Sequence, residues 1–186
     1  DLPPTLEFHY NGSQKEIVKS NAHQKNYHWG KSEMIYYADS KGTPLNGILY
    51  YPANYDATKK YPMVVFIYES FSKYLHEYVH PSLYNGIGFN IANLTTDGYA
   101  VLLPDISFEK GNSAMSAVDC VTAATEKVIE MGIADAKRIG LTGQSFGGYE
   151  TNFIITQTDL FATAISGSAV TDNLQHYFTI NTDYTN

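Results

Sequence analysis

The sequence predicts an α/β fold whose mostly parallel sheet has an N-terminal hairpin at one edge and helices on both faces. Continuous apolar runs rich in β-branched residues lie at 63–68 and 99–103, as expected for strands that are buried on both faces of a parallel sheet. Segments with helical periodicity separate such runs, and strands that alternate with helices form right-handed βαβ units. Two shorter strand patterns joined by a turn precede the first run, which puts a hairpin at the edge of the sheet.

The predicted elements follow one another with short turns between them. Residues 1–28 are polar and irregular apart from a weak strand at 6–10, which ends at the turn dipeptide Asn11-Gly12. The remaining predicted elements are strands at 34–38 and 45–51 with a turn at 39–43, a polar loop at 54–60, a strand at 63–68, a helix at 88–94, a strand at 99–103, a helix at 114–131 ended by Gly132, a strand at 138–142, a helix at 147–155 and a strand at 161–166.

Composition indicates a globular domain and excludes some classes of partner. The chain has 186 residues, of which 44% are hydrophobic and 17% charged, enough for one domain with a buried core. Its formal net charge is −7 and its largest basic cluster is the pair Lys59-Lys60, so we expect no nucleic-acid partner. No apolar run approaches the length of a membrane span, so we expect no membrane association. The single cysteine, Cys120, lies in a helical apolar pattern, which indicates an inert buried thiol and leaves the cellular compartment open.

The pentapeptide Gly143-Gln144-Ser145-Phe146-Gly147 lies between an apolar strand and a helical pattern. In α/β-hydrolases this strand-turn-helix holds a nucleophilic serine in a strained conformation with its hydroxyl exposed, and only small residues fit two positions before and after it. The pentapeptide alone also fits a structural glycine-rich turn, but its flanking elements favour a nucleophile elbow. The sequence therefore predicts a partial α/β-hydrolase fold with Ser145 as the nucleophile.

The partners that such a serine needs are not evident in the sequence. In this fold an Asp or Glu and then a His follow the nucleophile at the ends of later strands. The 41 residues after Ser145 contain Asp159, Asp172, Asp183 and a single histidine, His176, which comes too soon after the elbow. We therefore expect that the chain is a fragment that ends before its acid and its general base, and that it is inactive alone.

Several segments around the elbow carry a more specific pattern than the pentapeptide. They are Trp29-Gly30, residues 60–68, residues 98–105, residues 135–138 and the extended elbow at 139–151, which continues through Gly147-Gly148-Tyr149. In this order they resemble the hydrolase domain of the prolyl oligopeptidase family, on its dipeptidyl-peptidase and acylaminoacyl-peptidase side, over residues 29–186. The resemblance implies that a β-propeller precedes this domain, with residues 1–28 as its end and the connection.

The resemblance also implies a serine peptidase that works through an acyl-enzyme on Ser145. The oxyanion of the tetrahedral intermediate needs hydrogen-bond donors aimed at it. The backbone N–H of Phe146 is one donor by the geometry of the elbow, and the resemblance makes the hydroxyl of Tyr68 the second. The alternative for Tyr68 is a strand-end tyrosine that packs at the surface. Glu69-Ser70 replace the family's usual glycines after this tyrosine, a departure that bears on the loop conformation and on the direction of the hydroxyl.

Candidate substrate-binding residues follow from the same resemblance. They are Tyr149, Val170 and Tyr177, of which Val170 and Tyr177 are expected to wall the pocket for the residue before the scissile bond. We expect a peptide substrate and no cofactor, and the resemblance allows a homo-oligomer of the intact protein.

The segment from His76 to His80 matches a zinc motif in which two histidines one helical turn apart bind the metal and Glu77 activates water. Such a site needs a stable helix and a third ligand. Pro81 follows at once and would break a helix continuing through it, and Leu83 stands where the extended motif has glycine. We therefore expect no metal site.

Two other functions stay open at this point. Acyl transfer to Ser145 does not distinguish an amide from an ester, so an esterase is one alternative. A hydrolase fold without catalytic partners that serves in binding is the other.

Overall fold

A computed structural model describes residues 4–26, 29–79, 82 and 89–179 of the chain. The strands and helices, numbered in chain order, are β1 (Thr5–Tyr10), β2 (Ser13–Lys19), β3 (Ser32–Ala38), β4 (Pro44–Tyr50), β5 (Tyr61–Ile67), α1 (Ile91–Thr96), β6 (Ala100–Pro104), α2 (Ser113–Glu130), β7 (Ala134–Gln144), α3 (Phe146–Ile154), β8 (Thr163–Gly167) and α4 (Asn173–Phe178). Short 3-10 turns lie at Ala22–Asn26 and Ser72–Tyr74.

A six-stranded sheet in the order β3-β4-β6-β5-β7-β8 forms the centre of the fold. Strands β6, β5, β7 and β8 are parallel to one another, whereas β3 and β4 pair antiparallel with each other and β4 pairs antiparallel with β6. Val64 on β5 lies between Val101 on β6 and Gly140 on β7. The predicted fold class is confirmed, with the hairpin β3-β4 at the edge of the sheet.

Helices cover the two faces of this sheet unequally. The buried side chains beneath α2 and α3 include Ile35, Leu49, Val65, Leu102 and Leu141 from the strands and Val121, Ala124 and Ile154 from the helices. The buried side chains of the opposite face are Ile48, Phe66, Val101 and Leu103, against which Ile91 and Leu94 of α1 and the rings of Phe71 and Phe89 pack. Neighbouring residues of β6 thus enter opposite apolar layers, which explains its continuous apolar sequence.

The end of α2 follows the predicted glycine signal. Gly132 has φ of 76°, a left-handed conformation that costs glycine little. Its N–H donates to the carbonyl of Ile129 at 2.9 Å, and the N–H of Ile133 donates to the carbonyl of Val128 at 3.3 Å. This pair of bonds is the Schellman motif that closes a helix C-terminus.

The segment before the sheet is more regular than the sequence indicates. Residues 13–19, which we expected to be irregular, form β2 and pair antiparallel with β1 in a separate two-stranded sheet. Every residue of both strands is exposed, so burial imposes no apolar alternation that the sequence could display. The turn at Asn11-Gly12 has positive φ at both residues, as a two-residue hairpin turn requires. The domain boundary at residue 28 stays a prediction.

Two helices differ from the sequence-based expectation. The helix predicted at 88–94 is α1, which begins at Ile91; residue 88 lies outside the described residues. The short helix α4 was not predicted, although the Asp172 side chain caps it by accepting the N–H of Gln175 at 2.9 Å. Within the described ranges, no helix is long and apolar enough to cross a membrane.

Candidate active site

Ser145 occupies a sharp turn between the end of β7 and the start of α3. Its φ of 56° and ψ of −115° lie outside the regions that side-chain-bearing residues favour, and such a conformation costs on the order of 1 to 3 kcal/mol. The N–H of Ser145 donates to the carbonyl of Gly167 on β8 at 2.8 Å, and its carbonyl accepts the N–H of Tyr149 at 3.1 Å. The residue is exposed. Backbone bonds on both sides therefore hold the strained turn and leave the side chain at the surface.

The glycines around Ser145 are required by close backbone contacts. A Cβ at Gly143 would lie 2.3 Å from the carbonyl oxygen of Gly147, and a Cβ at Gly147 would lie 2.3 Å from that of Ile67. A Cβ at Gly148 would lie 2.8 Å from the carbonyl oxygen of Gly167. These distances are shorter than van der Waals contact, so α3 packs against the ends of β5 and β8 only because these positions lack side chains. The geometry agrees with the elbow predicted from the sequence.

Phe146 is the first residue of α3. The first N–H groups of a helix have no partner within it. The N–H of Phe146, which directly follows Ser145, is therefore not bonded within α3. Its ring contacts those of Phe108 and Tyr149, at centroid distances of 5.6 and 5.8 Å. The structure thus brings Tyr149, one of the three predicted substrate-binding residues, to the elbow.

Tyr68 follows the last residue of β5 directly and lies beside the elbow. A Cβ on Gly147 would be 3.3 Å from the Cα of Tyr68, so the two backbones are in contact. The Tyr68 side chain is 38% exposed. Tyr68 therefore lies at the carboxyl end of β5, next to the elbow, and both its oxyanion role and the alternative of a surface tyrosine stay predictions.

The other predicted substrate-binding residues are less closely tied to the elbow. Val170 is half-buried and lies three residues after Gly167, which pairs with Gln144. Tyr177 on α4 is 80% exposed, and its ring contacts that of Phe178. The histidine on the same helix, His176, is exposed, and its side chain makes no hydrogen bond to any described residue.

Sequence reasoning missed Glu150, which lies one helical turn after the elbow. Its side chain is completely buried, and neither carboxylate oxygen has a hydrogen-bond partner among the described residues. Burial, together with the negative charge of Glu69, raises the pKa of Glu150 to about 8. The signal in the sequence is a charged residue on the same helical face as Gly147, Thr151 and Ile154, all of which are buried.

The histidine motif does not lie on a helix where it is described. The 3-10 turn ends at Tyr74, and residues 77–79 have no regular secondary structure. Two histidines of a zinc motif share a helical face only if a helix joins them. His80, Pro81 and Leu83 lie outside the described residues. In the described part of the chain, no group of three or more His, Cys, Asp or Glu side chains could hold a metal ion.

The elbow and the elements on both sides of it also match a known protein family. The family model described as the prolyl oligopeptidase family matches residues 88–186, more than half of the chain. The chain belongs to the prolyl oligopeptidase family. The family resemblance of the elbow and its flanking segments is thereby confirmed, and the family consists of serine peptidases with an α/β-hydrolase domain.

Individual relatives agree with this membership. The chain is 31% identical over 153 residues to the uncharacterized peptidase YuxL of Bacillus subtilis strain 168, and 28% identical over 153 residues to mouse dipeptidyl peptidase 8. Each alignment covers 75% of the chain, but only 22% of the length of YuxL and 17% of that of dipeptidyl peptidase 8. The chain thus spans about a fifth of these family members.

Solved structures of family members share the fold at low sequence identity. Dipeptidyl peptidase 4 of Porphyromonas gingivalis superposes with a TM-score of 0.66 at 20% identity, over 85% of this chain and 24% of its own. The acylaminoacyl peptidase of Pyrococcus horikoshii superposes with a TM-score of 0.62 at 20% identity, over 90% of this chain and 28% of its own. Both contain the α/β arrangement described above.

Proposed function

We propose that the intact protein is a serine peptidase that cleaves short peptides through an acyl-enzyme on Ser145. The observation that carries this proposal is the strained, exposed serine at a turn whose flanking glycines admit no side chain. A protein keeps backbone strain of this kind when the surrounding structure and the function require it. Membership in a family of peptidases makes peptides the proposed substrate class.

In the proposed mechanism, the Oγ of Ser145 attacks the carbonyl carbon of the scissile bond while a general base takes its proton. The oxyanion that forms accepts hydrogen bonds from the Phe146 N–H and from the Tyr68 hydroxyl. The intermediate collapses to an acyl-enzyme as the amine leaves with a proton, and water then releases the acyl group by the reverse sequence. His176 is exposed on α4 and no described residue hydrogen-bonds to its side chain, so we infer that the general base and its carboxylate partner are other residues of the intact protein.

Replacement of the nucleophile tests the proposal. We expect Ser145→Ala to lower kcat for dipeptidyl or aminoacyl amides by about 10⁴ to 10⁶, because the variant lacks the hydroxyl on which the proposed acyl-enzyme forms. Labelling by a fluorophosphonate should disappear at the same time. Ser116→Ala, on α2, is the matched control and should keep both activity and labelling. Undiminished labelling of the Ser145→Ala protein would assign the nucleophile to another residue.

Two further measurements separate the alternatives. Matched ester and amide substrates with the same acyl group distinguish a peptidase from an esterase, since only a peptidase should cleave the amide at a comparable kcat/KM.

Incubation with a chelator should leave the activity unchanged, because the segment of the histidine motif that is described is not helical. Loss of activity that zinc restores would contradict the serine mechanism. An intact protein that neither hydrolyses nor is labelled would be the inactive binding module.

A further inference from the structure

The Asp105 carboxylate holds the segment that follows Tyr68. Asp105 comes directly after β6 and is 9% exposed. Its Oδ1 accepts the N–H of Phe71 at 2.7 Å and the N–H of Ser72 at 2.8 Å. These N–H groups open the 3-10 turn Ser72–Tyr74 and have no partner within it. Hydrogen bonds from backbone N–H groups to a buried carboxylate are about twice as strong as neutral ones.

A third hydrogen bond joins the same two segments. The N–H of Ile106 donates to the carbonyl of Glu69 at 2.7 Å. Three hydrogen bonds therefore join residues 69–72 to residues 105 and 106. Tyr68 lies between this hydrogen-bonded segment and the last residue of β5, so neighbouring hydrogen bonds constrain its backbone on both sides.

Asp105 is itself held by the antiparallel edge of the sheet. Its N–H donates to the carbonyl of Asn46 on β4 at 2.9 Å, and its carbonyl accepts a hydrogen bond from the Tyr37 hydroxyl on β3. Both the carboxylate and the backbone of Asp105 are thus engaged. Asp105 therefore connects the segment after Tyr68 to strands β3 and β4 of the sheet.

We propose that Asp105 is a positioning residue that aims the Tyr68 hydroxyl at the oxyanion. This inference rests on the proposed role of Tyr68 as an oxyanion donor. Such a donor must lie about 2.7 to 3.1 Å from the position of the oxyanion, and misplacement by about 1 Å can cost a factor of 10² in rate. The three bonds to residues 69–72 constrain the backbone from which the partly exposed Tyr68 side chain extends.

A double-mutant cycle on the intact enzyme tests whether Asp105 acts through Tyr68. The four proteins are the wild type, Asp105→Ala, Tyr68→Phe and the double variant, each assayed for kcat and KM on one amide substrate. We expect Tyr68→Phe to lower kcat by about 10² to 10³ with little change in KM, because a lost oxyanion donor weakens only the transition state. Asp105→Ala should lower kcat by about tenfold or more. In the Tyr68→Phe background it should cause less than about a twofold further loss, since the interactions form one chain.

Two additional variants identify the chemical basis. Asp105→Asn keeps an oxygen that can accept both N–H groups, so it should recover most of the kcat lost in Asp105→Ala. Asp39→Ala is the matched control, because Asp39 Oδ1 also accepts two backbone N–H groups, from Lys41 at 3.0 Å and from Thr43 at 2.7 Å, in the β3-β4 turn. We expect its kcat to stay within about twofold of wild type.

The outcomes separate this inference from the role of Tyr68. If Tyr68→Phe lowers kcat strongly but Asp105→Ala has no effect, or has the same effect with and without the Tyr68 hydroxyl, Asp105 is only structural and the inference is wrong. If Tyr68→Phe stays within threefold of wild type, the oxyanion role of Tyr68 and this inference both fail, while the assignment of Ser145 is unaffected.

A milder variant covers the case in which Asp105→Ala does not fold. Tyr37→Phe removes one hydroxyl that fixes the Asp105 backbone and keeps the buried ring. We expect it to lower kcat about threefold, an effect that disappears when Tyr68→Phe is also present. An unchanged kcat, or a loss that persists in the double variant, would overturn the inference.

Discussion

Glu150 is a residue whose native environment opposes its usual charge. The carboxyl group is completely buried beside the elbow, and the described residues provide no hydrogen-bond partner for either oxygen. Because burial disfavours the charged form, its pKa rises from 4.5 to about 8. At neutral pH the folded protein therefore keeps Glu150 mostly protonated, whereas the unfolded chain ionises it.

This difference predicts a pH-dependent stability. A carboxyl group whose pKa is raised in the folded state does not lower the free energy of unfolding below pH 4.5. At higher pH it does lower that free energy, and the loss grows as the pH rises to about 8. Glu150→Gln removes the ionisation, so its free energy of unfolding relative to wild type should increase between pH 5 and pH 8, by about 2 to 4 kcal/mol. Denaturant unfolding of the hydrolase domain at several pH values measures the trend.

A matched control for this prediction is Glu126→Gln. Glu126 lies on the exposed side of α2, so Glu126→Gln makes the same chemical change at the surface without altering a buried carboxyl group. Parallel pH-stability curves for wild type and Glu150→Gln would mean that a partner outside the described residues stabilises the Glu150 carboxylate.

At the scale of elements, the elbow depends on the distance between α3 and the end of β5. A Cβ at Gly147 would lie 2.3 Å from the carbonyl oxygen of Ile67 and 3.1 Å from its carbonyl carbon. Neither backbone atom can move without shifting Ile67 and therefore Tyr68. The contact of Gly147 with Ile67 therefore bears on both the proposed nucleophile and the candidate oxyanion donor.

We expect Gly147→Ala to damage stability and catalysis together. Overpacking of this kind costs about 1 to 3 kcal/mol or more in the free energy of unfolding, and the shift of Tyr68 should lower kcat by at least tenfold. Gly167→Ala is a close control, since a Cβ there meets its nearest atoms at 3.6 to 3.8 Å. Thermal unfolding and amide hydrolysis of the two variants provide the comparison. A fully active Gly147→Ala protein would show that α3 can move away from β5 without consequence.

At the scale of the whole molecule, the described residues give the proposed nucleophile Ser145 no evident general base. His176 is exposed on α4 and its side chain has no hydrogen bond to the described residues. A serine hydroxyl without a base stays protonated and is a weak nucleophile. The remaining parts of the proposed site, the elbow and the two donor groups, do not replace proton transfer.

We therefore expect the 186-residue chain, expressed alone, to hydrolyse dipeptidyl and aminoacyl chromogenic amides 10⁴- to 10⁶-fold more slowly than a complete serine peptidase, on the order of the loss caused by removing triad residues. The intact protein assayed beside it is the positive control, and circular dichroism checks that the chain has folded. Turnover at the rate of the intact enzyme that His176→Ala abolishes would make His176 the general base and contradict the expectation.

Local sequence determined much of this protein. The elbow can be recognised because a strand, two glycines around Ser145 and a helix are adjacent in the chain, and the requirements of the turn are local. The central strands and α2 can be predicted because burial on both faces, or on one helical face, leaves a periodic apolar pattern. These local signals were sufficient to predict the fold class and the family.

Tertiary structure alone decided the features that depend on distant partners. Strand β2 exists through its pairing with β1 and has no burial pattern of its own. The pKa of Glu150 is raised because the folded chain buries its side chain. The link between Asp105 and the segment after Tyr68 joins residues 33 and 34 positions apart in the chain. Hydrogen bonds and desolvation depend on which groups meet in space, and a single sequence does not contain those distances.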